Sequence, residues 1–199
     1  DTISLAKEIY GDEFIPLHRP IFEGAEKIFL NECIDSNFVS SVGKRVIEFE
    51  DNISKYTGAK YSVATVNGTC ALHVALEIAG VKPNEEVITQ SLTFIATCNA
   101  IKYSGSSPVF IDVDKDTLGM SPKSLSKFLE KNTIKKNGFL INKKTNKRIS
   151  ACVPMHTFGN PCRIEEIAKI CSVFIKYSFF ENHAILTQDD LYAKFVTQS

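Results

Sequence analysis

Asn67-Gly68-Thr69 has the clearest capacity for chemistry in this chain, because it turns a short apolar run directly into a helix. Residues 61–66 before it are apolar and β-branched and predict a buried strand. After it, Ala71, Leu72, Ala75, Leu76 and Ala79 recur at helical spacing, with Thr69 where an N-cap belongs. The first amides of such a helix lack an intrahelical acceptor and lie at the positive end of its dipole, so the turn can hold a phosphate or another anion. An ordinary strand-to-helix turn of an α/β domain carries the same signature. Neither G-x-G-x-x-G nor G-x-x-x-x-G-K-[ST] occurs, so this is not a dinucleotide fingerprint or a P-loop. Further turns that carry reactive or aromatic groups are Thr93-Phe94, Asp112 to Asp114 and His156-Thr157-Phe158-Gly159.

These groups need elements that bring them together. Glu86 to Thr89, Pro108 to Val113 and Ile149 to Met155 predict strands, and Ile95 to Tyr103, Ser121-Pro122 to Lys131 and Ile164 to Cys171 predict the helices between and after them. Strands alternating with helices of about ten residues mean a parallel sheet with right-handed crossovers. Ligands of such sheets bind beyond the carboxyl ends of the strands, which is where all four turns should fall. The lysine-rich KNTIKKNGFLINKKTNKR predicts a solvated hairpin insertion, since no aromatics interleave with its charges as a nucleic-acid surface would require. Upstream, helices are expected at Asp1 to Glu13, Gly24 to Ser36 and Val46 to Tyr56, with a polar loop at Asn37 to Gly43 that holds Phe38 and Val39.

Composition bounds the function. The chain has 199 residues, 44% of them hydrophobic, and 23 basic against 23 acidic side chains. That is enough for one sizeable α/β core, and zero net charge disfavours nucleic acid or an anionic membrane as partner. No apolar run approaches the ~20 residues of a membrane span, and the segment DTISLAKEIYGDE is acidic where a signal peptide is basic. A cytoplasmic protein is the expectation. The six cysteines form no C-x-x-C pair and several lie in apolar runs, which predicts free buried thiols rather than a disulfide frame, and no metal site is expected.

The blocks IPLHRPIFEG, NFVSSVGKRVIEFE, KYTGAKYSVATVNGTCALHVAL, QSLTFIATCNAI, PVFIDVDKDTLGMSP and VPMHTFGNP, taken in that order, resemble the DegT/DnrJ/EryC1/StrS family of pyridoxal-phosphate-dependent nucleotide-sugar aminotransferases. The resemblance runs from about Ile15 to Cys171 and is strongest to the branch that aminates 4-keto-6-deoxy sugars on the way to bacillosamine or legionaminic acid. It implies the large domain of the aspartate-aminotransferase fold (PLP fold type I), an α/β, three-layer architecture around a mixed, mainly parallel sheet. It also implies a homodimer, pyridoxal 5′-phosphate as cofactor, glutamate as amino donor and a nucleotide sugar as acceptor. By the same resemblance, Asn67, Gly68 and Thr69 hold the cofactor phosphate and Phe94 stacks on its ring. His156 and Ser178 belong to cofactor-side blocks, and Asn37, Phe38, Val39 and Ser40 to a substrate-side segment.

The departures from the family pattern concern the electron-sink chemistry, which needs a Schiff-base lysine and an acidic partner for the pyridinium nitrogen. Neither stands in its matching block. The acidic-Asp-Ala-Ala segment is absent after Cys171, and the block from Tyr177 places His183 where the lysine belongs. This leaves three readings: an aminotransferase fragment inactive in this form, a pyridoxal-phosphate-dependent sugar dehydratase using His183, and a non-catalytic remnant or dimer partner. The expected organisation is a lead-in at 1–14, a partial large domain at 15–171 and a divergent tail at 172–199. The chain is then truncated before the small C-terminal domain and prone to associate.

Overall fold

Val87 and Ile88 are both fully buried although neighbouring residues of a strand face opposite ways, so their strand is covered on both faces. In the computed structural model, which describes residues 1–15 and 20–174, that strand is β1 (Glu86–Gln90). It lies between β2 (Ser107–Ile111) and β5 (Ile149–Val153), parallel to both, with Gln90 opposite Ile111 and Thr89 opposite Val153. On one face, Leu72, Ala75 and Leu76 of α4 (Gly68–Ile78) and Ala100 and Ile101 of α5 (Ile95–Tyr103) pack on Val87, Ala151 and Val153. On the other, Leu125 and Leu129 of α6 (Pro122–Asn132) and Ile167 and Cys171 of α7 (Ile164–Phe174) pack on Ile88, Ile111 and Cys152. The result is the helix–sheet–helix layering expected of alternating strands and helices.

Local chemistry sets the element ends. Ser121 accepts a hydrogen bond from the Ser124 amide and Pro122 fills the first turn of α6, where a missing N–H costs nothing. β5 stops at Val153 because Pro154 cannot donate to a ladder. The lysine-rich insertion is an antiparallel hairpin, β3 (Thr133–Lys136) and β4 (Phe139–Asn142). Asn137 and Gly138 join its strands with φ of 52° and 81°, as a type I′ turn requires.

The chain divides into two compact units, Asp1–Glu48 and the remainder from Phe49. The first holds α1 (Thr2–Tyr10) and α2 (Glu26–Asp35), neither of which buries a residue, and the start of α3 (Lys44–Thr57). Arg45 bonds Glu32 and Glu48 and lies 3.9 Å from the centre of the Phe29 ring. Among the described residues no helix is long and apolar enough to cross a membrane.

One expected strand is absent. Residues 61–66 join no ladder, and Tyr61, Val63 and Val66 are exposed. Their polar groups turn to α3 instead: Ser62 Oγ donates to the Glu50 carbonyl (2.5 Å) and the Ala64 amide to Glu50 Oε1 (2.8 Å). β-Branched composition gives a segment strand propensity but no partner, and neither edge of the described sheet, β2 or β5, pairs with it.

Candidate functional site

Because β1, β2 and β5 are parallel, the chain leaves all three at one edge, through residues 91–94, 112–120 and 154–157. α4 returns into β1 through a short turn, so it runs back along the sheet and its first residues lie toward that same edge. Side chains hold two of the exits together. Thr93 Oγ1 lies 3.1 Å from Thr97 Oγ1 and donates to Met155 Sδ at 3.4 Å, while Gln90 Nε2 donates to Thr157 Oγ1 at 2.9 Å.

Asn67, not Thr69, caps α4. Asn67 is extended (φ −166°, ψ 169°) and its Oδ1 accepts the Cys70 amide at 2.9 Å, which makes Gly68 the first helical residue. Both residues are good caps two positions apart, and the register that lets Leu72, Ala75 and Leu76 face the sheet selects Asn67. The cap consumes the Cys70 amide and leaves those of Gly68 and Thr69 without partners among the described residues. Two amides, the Thr69 hydroxyl and the dipole of an 11-residue helix fit a phosphate dianion.

Phe94 stands at the N-cap position of α5 without a capping bond and is 65% exposed, so it fills no core. His156 is half-buried and its Nδ1 accepts the Cys162 amide at 3.0 Å, so in the neutral ring the proton sits on Nε2. Phe158 is exposed, with a left-handed backbone (φ 53°). Beyond β2, Arg163 binds Asp114 and, at 2.5 Å, Asp116, and this contact holds the Asp116 carboxyl below the usual carboxylate range. Cysteines 152, 162 and 171, from β5, the loop before α7 and α7, are buried in the core between the sheet and the α6/α7 layer. Cys171 beside it, together with burial, pushes the Cys152 thiol well up.

Other predicted residues are placed elsewhere. Asn37, Phe38, Val39 and Ser40 form the loop between α2 and α3 in the first unit, where Asn37 takes φ 60° and Phe38 and Val39 are exposed. Ser178 and His183 lie outside the described residues. Among the described residues, no group of three His, Cys, Asp or Glu side chains is placed to hold a metal ion. The residue that sequence reasoning missed is Gln90, which is fully buried at the end of β1. Its signal was a lone amide closing an otherwise strand-like run.

The fold and edge define an α/β domain whose parallel strands end at one edge, with the Gly68 and Thr69 amides at the start of α4 toward it. Residues 22–174 match the DegT/DnrJ/EryC1/StrS aminotransferase family, and the chain belongs to it. That family is pyridoxal-phosphate-dependent, and its structures have the PLP fold type I. The GDP-perosamine synthase of Escherichia coli O157:H7 is 35% identical over 158 residues, which are 79% of this chain and 39% of that protein. Of solved structures, the aminotransferase from Psychrobacter cryohalolentis is similar with a TM-score of 0.66 and 28% identity, over 81% of this chain and 37% of its own. The structure of DesI in the presence of its TDP-sugar product is similar with a TM-score of 0.61 and 30% identity, over 77% and 35%. The chain spans 38–39% of the length of the curated relatives it matches.

Proposed function

We propose that this chain supplies the phosphate- and ring-binding half of a pyridoxal 5′-phosphate site in a cytoplasmic nucleotide-sugar aminotransferase. Glutamate is the amino donor and a 4-keto-6-deoxy sugar nucleotide the acceptor. The observation that carries this reading is the pair of amides at the start of α4, Gly68 and Thr69, that have no partner among the described residues. They lie toward the sheet edge that exposes Phe94 and holds His156 by its Nδ1. One relative is named a GDP-perosamine synthase, and DesI was solved in the presence of its TDP-sugar product, which supports the substrate class.

When bound, the cofactor supplies an electron sink for transfer of an amino group. This chain's residues bind and orient it. Gly68 and Thr69 neutralise its phosphate with backbone amides, Phe94 covers one face of its ring, and His156 offers an Nε2 proton as donor. Neither a reactive lysine nor an acidic partner for the ring nitrogen stands in the family-matching blocks of this chain, so no covalent step is assigned to it. The loop Asn37 to Ser40 is the proposed sugar-nucleotide contact, and the exposed Val74 and Ile78 of α4 suit a homodimer.

Thermal stability with pyridoxamine 5′-phosphate tests the reading. Millimolar ligand should raise Tm by a few degrees, as mass action on a weak native-state site requires, and Thr69→Ala combined with Phe94→Ala should abolish most of the shift. No shift in the wild type, or one that the double variant retains, would overturn it.

A further inference from the structure

We infer that Gln90 is the positioning residue of this edge, holding the Phe94 and His156 turns in the geometry that receives the cofactor ring. The inference rests on the cofactor reading above and adds a residue to which that reading gives no role.

The Gln90 side chain lies where the three strand exits meet and is completely buried. Its Oε1 accepts two backbone amides, Met120 and Met155, each at 2.9 Å. Its Nε2 donates to the Leu92 carbonyl at 2.8 Å and to Thr157 Oγ1 at 2.9 Å, with the Leu118 carbonyl further off at 3.4 Å. Thr157 Oγ1 donates in turn to that Leu118 carbonyl at 2.9 Å, so the network has one consistent direction. The partners also fix which end of the amide is which, since N–H groups meet one end and a carbonyl the other.

One planar amide therefore ties down all three exits: Leu92 after β1, Leu118 and Met120 after β2, and Met155 and Thr157 after β5. His156 lies between two residues bonded to Gln90, and the Cys162 amide fixes its ring. Phe94 lies two residues beyond Leu92, and Thr93 between them reaches Met155. Leu118 is held with φ of 58°, a conformation that a leucine adopts only when its surroundings impose it. Few side chains can replace this amide. Glutamate keeps the acceptors and, when ionised, loses both donors, while methionine has the shape and neither function. A site accurate enough to stack a ring needs such support beneath it.

The phosphate site depends on different atoms, the amides at the start of α4, so the two halves should respond separately. In the full chain we would compare Gln90→Met and Gln90→Glu with wild type, using pyridoxamine 5′-phosphate and inorganic phosphate as probes and hydrogen exchange at the Met120 and Met155 amides as a ligand-free readout. Gln90→Met should stay folded, exchange those amides at least tenfold faster and bind pyridoxamine phosphate at least tenfold more weakly, with phosphate affinity within twofold. Gln90→Glu should be rescued by acid. Relative to wild type at the same pH, its affinity should rise between pH 8 and pH 6, because the neutral carboxyl regains a donor. Equal loss of both probes, or a pH-independent Gln90→Glu defect, would make the role merely structural and overturn the inference. Wild type binding with Gln90→Met unchanged would overturn it and leave the cofactor reading standing, whereas wild type binding neither probe would sink both.

Discussion

Single residues decide whether the start of α4 is a ligand site or only a helix end. Asn67 satisfies the Cys70 amide, so Asn67→Ala should lower stability by about 1 kcal/mol, as loss of an N-cap does. Thr69→Ala should leave stability within a few tenths of a kcal/mol and act on ligand alone, because Thr69 caps nothing. Urea denaturation separates the two, and equal losses would contradict the assignment of the cap. Beyond β2, the Arg163 guanidinium beside it lowers the Asp116 carboxyl pKa. A depressed pKa stabilises the fold above the unfolded-state value, near 3.9, and this contribution disappears as pH falls through the folded value. Asp116 is exposed, so its effect on stability is small and confined to acid. Carboxyl NMR in Arg163→Ala should show Asp116 titrating at higher pH than in wild type, and an unmoved midpoint would deny the pairing. Asn67 and Thr69 were both legible as polar turn residues, yet their spacing alone could not choose the cap. Gln90 showed only as a lone amide closing a strand-like run, and its role was illegible because its partners lie as far away as Thr157, 67 positions along the chain.

At the scale of elements, the sequence carried most of the second unit. α5 has the predicted bounds because Ala96, Ala100 and Ile101 repeat at helical spacing, and the lysine-rich hairpin turns at Asn137-Gly138, a dipeptide suited to positive φ at both positions. What was local was readable. Residues 61–66 failed as a strand because pairing is a long-range property, and their apolar side chains predict propensity without naming a neighbour. The turn after β2 depends on another relation invisible in sequence, its close approach to Cys162. A Cβ added to Gly119 would lie 2.4 Å from the Cys162 Cβ and 3.1 Å from its Cα, so backbone as well as side chain must move. Gly119→Ala should therefore cost about 1–3 kcal/mol in chemical denaturation, as overpacking does. A cost below a few tenths would mean that the two loops are not pressed together.

The whole molecule combines a layered α/β unit with a helical unit, Asp1–Glu48, whose first two helices bury nothing. The family match, residues 22–174, spans the described part of that α/β unit, and the expected lysine position, at His183, falls outside the described residues. On the function proposed above, the carboxyl edge of this sheet supplies half a site, which recognises a phosphorylated pyridine through the start of α4 and Phe94. Amide and aromatic NMR during titration with pyridoxamine 5′-phosphate tests it most directly. The Gly68 and Thr69 amides should shift and saturate together with the Phe94 ring resonances, and pyridoxamine lacking the phosphate should not move the two amides. Shifts confined to the lysine-rich hairpin, or equal responses to the two ligands, would contradict it.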